Sequence, residues 1–374
     1  MKNAMTNMEV KRENRKKIYR YMCKHGVVSN PELSYELKLS LPTVTQNTKE
    51  LLEMGLIEEL GELNSTGGRK AKALSVSRNY KLAVGLDITK NHIGFALINM
   101  IGESCGYEKN YFPFQNSEEY YKTINTKLEE FIDRNGIERE KLIGIGIVFP
   151  GIIDLKKNKI TDSHALGVQN VSLAEIEKYF QFPCIFFNDA NAGAYAEGIQ
   201  SNKEDKFFYF SLSNTVGGSF YTGAELMYGD EFRCGEIGHM TIIPDGEPCY
   251  CGKRGCFDAY CSAKRLSDLT EGKLEYFFEK LKTGEQEIKA AWEQYVRYLA
   301  IATNNLHMIL DCDIVLGGYV GSYLADYIDE IRKEVKERNT FGEDGTFIKT
   351  CEYKGVAAAM GSALYVIENF IRQL

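Results

Sequence analysis

Apolar residues in the first eighty positions recur with helical spacing and then switch to alternation. Ile18, Tyr19 and Met22 share one face of a segment ended by Gly26, which predicts a helix over 14–25. Asn30-Pro31 opens a second, shorter helix, with Asn30 read as its N-cap and Leu33, Leu37 and Leu39 as its apolar side. A third helix runs from Leu41 to Met54 with Val44, Leu51 and Leu52 inward and Thr43, Thr45, Gln46 and Lys49 outward. Residues 56–60 and 71–76 read as strands joined by a basic turn that carries Arg69 and Lys70. Three helices followed by a hairpin make a winged helix-turn-helix. Its third helix would present Thr43, Thr45, Gln46 and Lys49 to base edges and phosphates, with Arg69 and Lys70 on the backbone or in the minor groove.

From residue 81 the pattern changes to buried-looking strands separated by helices. Residues 82–88 form an apolar strand carrying Asp87, and 92–99 a second strand beyond the turn Ile88-Thr89-Lys90-Asn91. Residues 118–135 form an amphipathic helix, and 142–149 an apolar strand running into Pro150-Gly151. A strand at 184–187 delivers Asn188-Asp189 to a helix start built from small residues. Further on come a strand at 207–212, a hairpin turn near 223–226, helical pattern over 263–310 and 323–338, a strand and turn at 314–318, and a small-residue helix at 355–364. Strand, turn and strand with an acid at the first turn is the opening of an actin-like (ribonuclease-H-like) lobe. The sequence displays no heptad zipper and no local repeat.

Length sets the scale: 374 residues hold two or three domains. No apolar run reaches 18 residues, and the first twenty are polar and basic, so neither a membrane span nor a signal peptide is expected and the cytoplasm is the expected location. Charge is divided unevenly. Residues 1–80 carry 14 Lys+Arg and 9 Asp+Glu, net +5, whereas the remainder carries 31 and 43, net −12. A basic head on an acidic body fits a nucleic-acid-binding module joined to something else.

The densest chemistry lies in Gly235-Glu236-Ile237-Gly238-His239 and in Cys249-Tyr250-Cys251-Gly252-Lys253-Arg254-Gly255-Cys256. The glycines let the backbone curl until three thiolates face one point, and His239 supplies a fourth corner, the tetrahedral set that structural Zn²⁺ prefers. Four protein ligands leave no position for an activated water, which argues against a metal-dependent hydrolase. A polar pair at the end of a buried strand is costly unless used. Asn188 and Asp189 either cap the following helix or aim into a cleft, where Asp189 could accept a proton from a sugar hydroxyl. Gly144 and Gly146 read as sheet packing, while Gly151 is equally consistent with close approach of a ligand.

These segments together resemble the ROK family (repressors, open reading frames, kinases), in its winged-helix repressor branch. The resemblance rests on Thr66-Gly67-Gly68-Arg69, Val148-Phe149-Pro150-Gly151, Asn188-Asp189-Ala190-Asn191-Ala192, the Glu-x-Gly-His and Cys-x-Cys stretches, and Val315-Leu316-Gly317-Gly318. It implies zinc on His239, Cys249, Cys251 and Cys256, and sugar contacts from Asn188, Asp189, Glu236 and His239. Asp258 stands where the family usually has a glutamate ligand. In the family's kinases the position of Asp189 is the catalytic base. Two phosphate loops depart from the family pattern: Asp87-Ile88-Thr89-Lys90-Asn91 replaces Asp-x-Gly-Gly-Thr, and Ser213-Asn214-Thr215-Val216-Gly217 replaces Gly-Thr-Gly-x-Gly. Backbone that wraps phosphate needs those glycines.

The expectation is an α/β chain with a winged helix-turn-helix at 1–80. A two-lobed sugar-kinase fold follows at 81–200 and 201–354, with the helix at 355–374 packing on the first lobe. Its function would be a sugar-responsive repressor without phosphoryl transfer, bound to operator DNA as a homodimer or higher homo-oligomer. The alternative is an ATP-dependent sugar kinase carrying a DNA-binding head.

Overall fold

Thr6 and Glu9 decide where the chain first becomes helical. The Thr6 hydroxyl accepts from the Glu9 amide while the Glu9 carboxylate accepts from the Thr6 amide, so α1 spans Asn7–His25, about two turns longer than predicted. The charged run over 11–17 hides those outer turns from a search for apolar periodicity. A second capping box corrects the start of α2 (Asn30–Leu37). Ser29, and not Asn30, is the N-cap, exchanging hydrogen bonds with Glu32. Ser40 caps α3 (Leu41–Glu53). The hairpin β1 (Ile57–Glu62) and β2 (Lys72–Val76) is antiparallel. Ile18, Tyr19, Met22, Leu33, Val44, Leu51, Ile57 and Leu74 bury one small core, each worth about 1.5–3 kcal/mol. Leu52, expected inward, is only partly buried at its edge.

The structure, a computed structural model, describes residues 6–62, 71–200, 205–223, 225–342 and 344–374. The basic turn with Arg69 and Lys70, the Thr66-Gly67-Gly68-Arg69 stretch and Ala224 lie outside the described residues.

The remaining chain runs through β3 (Leu82–Ile88), β4 (His92–Asn99), β5 (Ser104–Tyr111), α4 (Glu118–Arg134) and β6 (Leu142–Phe149). Then come β7 (Ile152–Asp154), β8 (Lys159–Ser163), β9 (Val168–Ser172), α5 (Leu173–Glu177), β10 (Cys184–Asn188) and α6 (Asp189–Gln200). A second sheet begins with β11 (Phe207–Leu212), β12 (Val216–Tyr221) and β13 (Leu226–Met227). The chain continues through α7 (Asp258–Cys261), α8 (Lys264–Ser267), α9 (Leu274–Thr283), α10 (Gln286–Leu310), β14 (Asp313–Gly317) and α11 (Gly318–Gly321). It ends with α12 (Ile328–Lys336), β15 (Ile348–Thr350) and α13 (Ala357–Arg372). The helical stretch expected over 263–310 is interrupted, because Glu271, Gly272 and Gly284 take left-handed backbone.

Among the described residues the larger sheets have the orders β10-β6-β3-β4-β5 and β13-β12-β11-β14-β15. In each, an antiparallel meander joins parallel strands: β3-β4-β5 with β6 and β10, and β11-β12-β13 with β14 and β15. The two lobes therefore share one topology, an actin-like architecture. Its parallel strands aim their carboxyl ends at the cleft, where open α/β sheets bind ligands.

Helix α13 packs against α6 and across β3, β4 and β6. Gly361 permits this: a Cβ there would sit 1.8 Å from the carbonyl oxygen of Ala192 in α6. The far end of α13 meets the winged domain. Arg20 of α1 pairs with Glu368, Arg12 and Arg15 donate to the carbonyls of Gln373 (3.0 Å) and Leu374 (3.1 Å), and Arg15 also reaches Glu50 of α3. A continuous line of packed elements thus runs from α6 through α13 and α1 to α3. Among the described residues no helix is long and apolar enough to cross a membrane.

Candidate functional site

A cavity of ≈ 480 Å³ lies where the strand ends converge, walled in part by Asp87, Thr89, Asp189, Ser211, Tyr319 and Lys354. Asp189 enters it as the first residue of α6. Asn188 does the capping, its Oδ1 accepting the Asn191 amide at 2.7 Å. The Ser211 hydroxyl lies 3.5 Å from Asp189 Oδ2, and Ser219 donates to Asn191 Oδ1 at 2.7 Å. Of the expected sugar contacts Asp189 lines this cavity. Glu236 is half-buried close by, and the charges of Asp189 and Asp162 reach it.

Three carboxyls in this neighbourhood hold their protons unusually well. Burial pushes Asp87 up to about 7, with the charge of Asp189 adding to it and Lys109 opposing. Burial, then Asp189 and Asp162, pushes Glu236 up to about 7. Burial raises Asp189 as well, against the Ala190 amide. A folded-state value raised above the unfolded one gives stability that is complete in acid and lost as pH climbs through the folded value. The ligand-free protein is therefore expected to melt a few degrees lower at pH 8 than at pH 5. Asp87→Asn should flatten that slope, and thermal melts across the range check it; a slope left unchanged by the substitution would remove Asp87 as its source.

Asp258 is buried and its Oδ2 accepts the Val216 amide at 2.5 Å; like Gly151, Asn188, Glu236 and His239, it does not line the cavity. Gly151, at the turn between β6 and β7, has φ +121°, and a Cβ there would meet the Asp162 carbonyl at 2.4 Å. Close packing against β8 thus accounts for its lack of a side chain.

Among the described residues one His/Cys group can hold a metal ion: His239, Cys249, Cys251 and Cys256, whose ligand atoms all lie within 4.8 Å of one another. The knuckle closes through its own backbone, Cys249 N–H to Lys253 O at 2.8 Å and Gly252 N–H to Cys249 O at 3.0 Å. His239 Nδ1 lies 3.9 Å from Cys249 Sγ, and Cys251 Sγ 3.8 Å from Cys256 Sγ. The other imidazole nitrogen, Nε2, lies 3.4 Å from the Tyr250 hydroxyl.

On α3, Thr45, Gln46 and Lys49 are exposed, whereas Thr43 is half-buried with its hydroxyl 2.8 Å from that of Ser40. The sequence reading missed His164, Tyr250, Tyr319 and Asp162. Tyr250 could have been noticed from its place between two candidate ligands. His164 carries no local signal, because the residue it meets lies 86 positions later.

A ROK family model matches residues 83–369, and a winged helix-turn-helix DNA-binding model matches residues 11–58. The xylose repressor of Bacillus spizizenii is 29% identical over 374 residues, covering 97% of each chain. Among solved structures, a ROK family transcriptional regulator, homolog of the E. coli MLC protein, superposes with TM-score 0.77 at 21% identity over 97% of both chains. A ROK family glucokinase from Streptomyces griseus, in complex with glucose and AMPPNP, gives TM-score 0.65 at 21% identity over 76% of this chain and 98% of that one. From these matches and the fold they share, this chain belongs to the ROK family.

Proposed function

We propose that the chain is a sugar-responsive, DNA-binding transcriptional repressor of carbohydrate-metabolism genes, which binds a monosaccharide in a kinase-like cleft without transferring phosphate. The observation that carries this reading is end-to-end similarity to a xylose repressor, reading head and ROK body together. Thr43, Thr45, Gln46 and Lys49 of α3, with Arg69 and Lys70, would contact operator DNA. A homodimer would place two heads on a pseudo-palindrome in the cytoplasm. Asn188, Asp189, Glu236 and His239 would hold the sugar. The packed line from α6 through α13 to Arg20 of α1 offers the route by which occupancy reaches α3. A sugar shifts DNA affinity only if it binds the two states unequally.

Two contacts argue against nucleotide. The Val216 amide in the second phosphate loop is already given to Asp258. In the first loop, the Thr89 amide and hydroxyl both donate to His92 O, at 2.9 and 3.0 Å. Beside that loop stands Tyr319, its ring centroid 5.4 Å from Lys109 Nζ.

The metal would be zinc. At a Zn–S length of about 2.3 Å, tetrahedral geometry separates thiolates by about 3.8 Å, and Cys251 and Cys256 stand at 3.8 Å. Bound there, zinc would supply cross-linking of the loop rather than reaction chemistry.

The test combines operator selection from a random DNA pool with titration of D-xylose, D-glucose and N-acetylglucosamine into the protein–DNA complex. One sugar is expected to change DNA affinity at least roughly tenfold, a differential of about 1.4 kcal/mol. Asp189 in the kinase base position favours a second reading, a sugar kinase with a DNA-binding head. Robust ADP release with these sugars and ATP would establish it and overturn the first.

A further inference from the structure

We propose that Tyr250 is a gate on the sugar site: its hydroxyl occupies the second nitrogen of His239, and its ring clasps His164 across the cleft until a sugar displaces it. This rests on the sugar-binding reading above and concerns how the pocket is held when empty.

The imidazole of His239 has two faces with two partners. Nδ1 points to Cys249 Sγ at 3.9 Å, the metal side, and Nε2 to Tyr250 Oη at 3.4 Å. An imidazole that gives one nitrogen to a metal keeps one N–H to donate. Here the Tyr250 hydroxyl stands where a sugar hydroxyl would accept it. Tyr250 is held edge-on to His239, with ring centroids 5.3 Å apart and planes at 75°. Its backbone is pinned between Cys249 and Cys251, so it can yield only by rotating its side chain. At 40% exposure it has room to do so.

The other face of the Tyr250 ring lies on His164, with centroids 3.9 Å apart and planes within 10°. His164 belongs to the turn between β8 and β9, carried by the first lobe, whereas Tyr250 belongs to the knuckle of the second. Both line the cavity that Asp189 enters. Rotating Tyr250 off His239 therefore also breaks an aromatic contact between lobes, and lobe separation becomes linked to occupancy. A sugar must compete with the tyrosine hydroxyl, so the gate weakens binding of every ligand that needs His239.

Calorimetric titration of metal-loaded, full-length protein with D-xylose, D-glucose and N-acetylglucosamine tests this. Tyr250→Phe keeps the ring and the stack but cannot accept from His239. It is expected to bind the sugar roughly three- to tenfold more tightly, the worth of one competing hydrogen bond. Unchanged or weaker binding by Tyr250→Phe, with metal content intact, overturns the gate. His164→Ala should also tighten binding, and should alter the sugar-free solution scattering profile toward that of the sugar-bound wild type. An unmoved profile overturns the clasp. Failure of the wild-type protein, metal in place, to bind any of the sugars would instead sink the sugar reading on which the gate depends.

Discussion

Asp189→Asn should abolish the response to sugar while the protein stays folded and bound to DNA. Asp189 opens α6 directly after β10, where the cavity is walled by groups from both lobes. A carboxylate there accepts from a sugar hydroxyl as a charged partner, an interaction worth about 1.5–3 kcal/mol. Losing it costs roughly 10- to 150-fold in affinity. The amide has almost the same shape, so the α6 start and the Ser211 contact should persist. Stability should rise, because the charge of Asp189 is the second cause, after burial, of the raised values of both Asp87 and Glu236. Two measurements check the substitution: calorimetric sugar affinity, and the pH slope of thermal melting. An Asp189→Asn protein that responds to its sugar like wild type would remove this carboxylate from the site.

Cys256→Ser is expected to have the larger structural effect. Cys256 is buried at the closed end of the knuckle, whereas Cys251 is exposed. Structural zinc contributes about 10–16 kcal/mol in small zinc domains, comparable to the whole stability of a typical domain. Removing one thiolate should drop bound metal well below one equivalent. It should also lower the melting temperature of the ROK body and abolish sugar binding, because His239 loses its anchor and Glu236 lies only three residues away. Chelation of the wild type should reproduce this, and Cys105→Ser, an exposed cysteine outside the cluster, should not. Metal analysis with thermal melts distinguishes the variants. Full metal content and unchanged sugar affinity in Cys256→Ser would show that the knuckle has another role.

Much of the winged domain was legible because its signals are local. Helical periodicity over Ile18, Tyr19 and Met22 depends only on neighbours three or four residues apart, and those side chains are fully buried. Helix starts were less legible. Both the early start of α1 and the Ser29 cap depend on reciprocal side-chain bonds that hydrophobic pattern does not register. The metal set was legible in part for the same reason: Cys249, Cys251 and Cys256 share one short loop, and their spacing is a geometric statement about it.

Sites assembled from distant segments were another matter. Asp258 looked like a ligand by position, and the structure adds a partner no local pattern shows: one of its carboxylate oxygens accepts the Val216 amide, 42 residues away. His164 and Tyr250 meet only because the lobes face each other. The shared topology of the two large sheets was invisible in the residues, since strand order and direction are preserved while side chains are not.

By itself, then, the sequence determined what short-range physics can settle: the helices of the winged domain, the strongly apolar strands of the two lobes, the charge split between head and body, and a candidate metal set. The tertiary structure alone decided which buried carboxyls stand near one another, which amides remain for a ligand, and how α13 joins α6, at the cleft, to the winged domain. Those depend on residues far apart in the chain being brought within a few ångströms, and no local pattern encodes that approach.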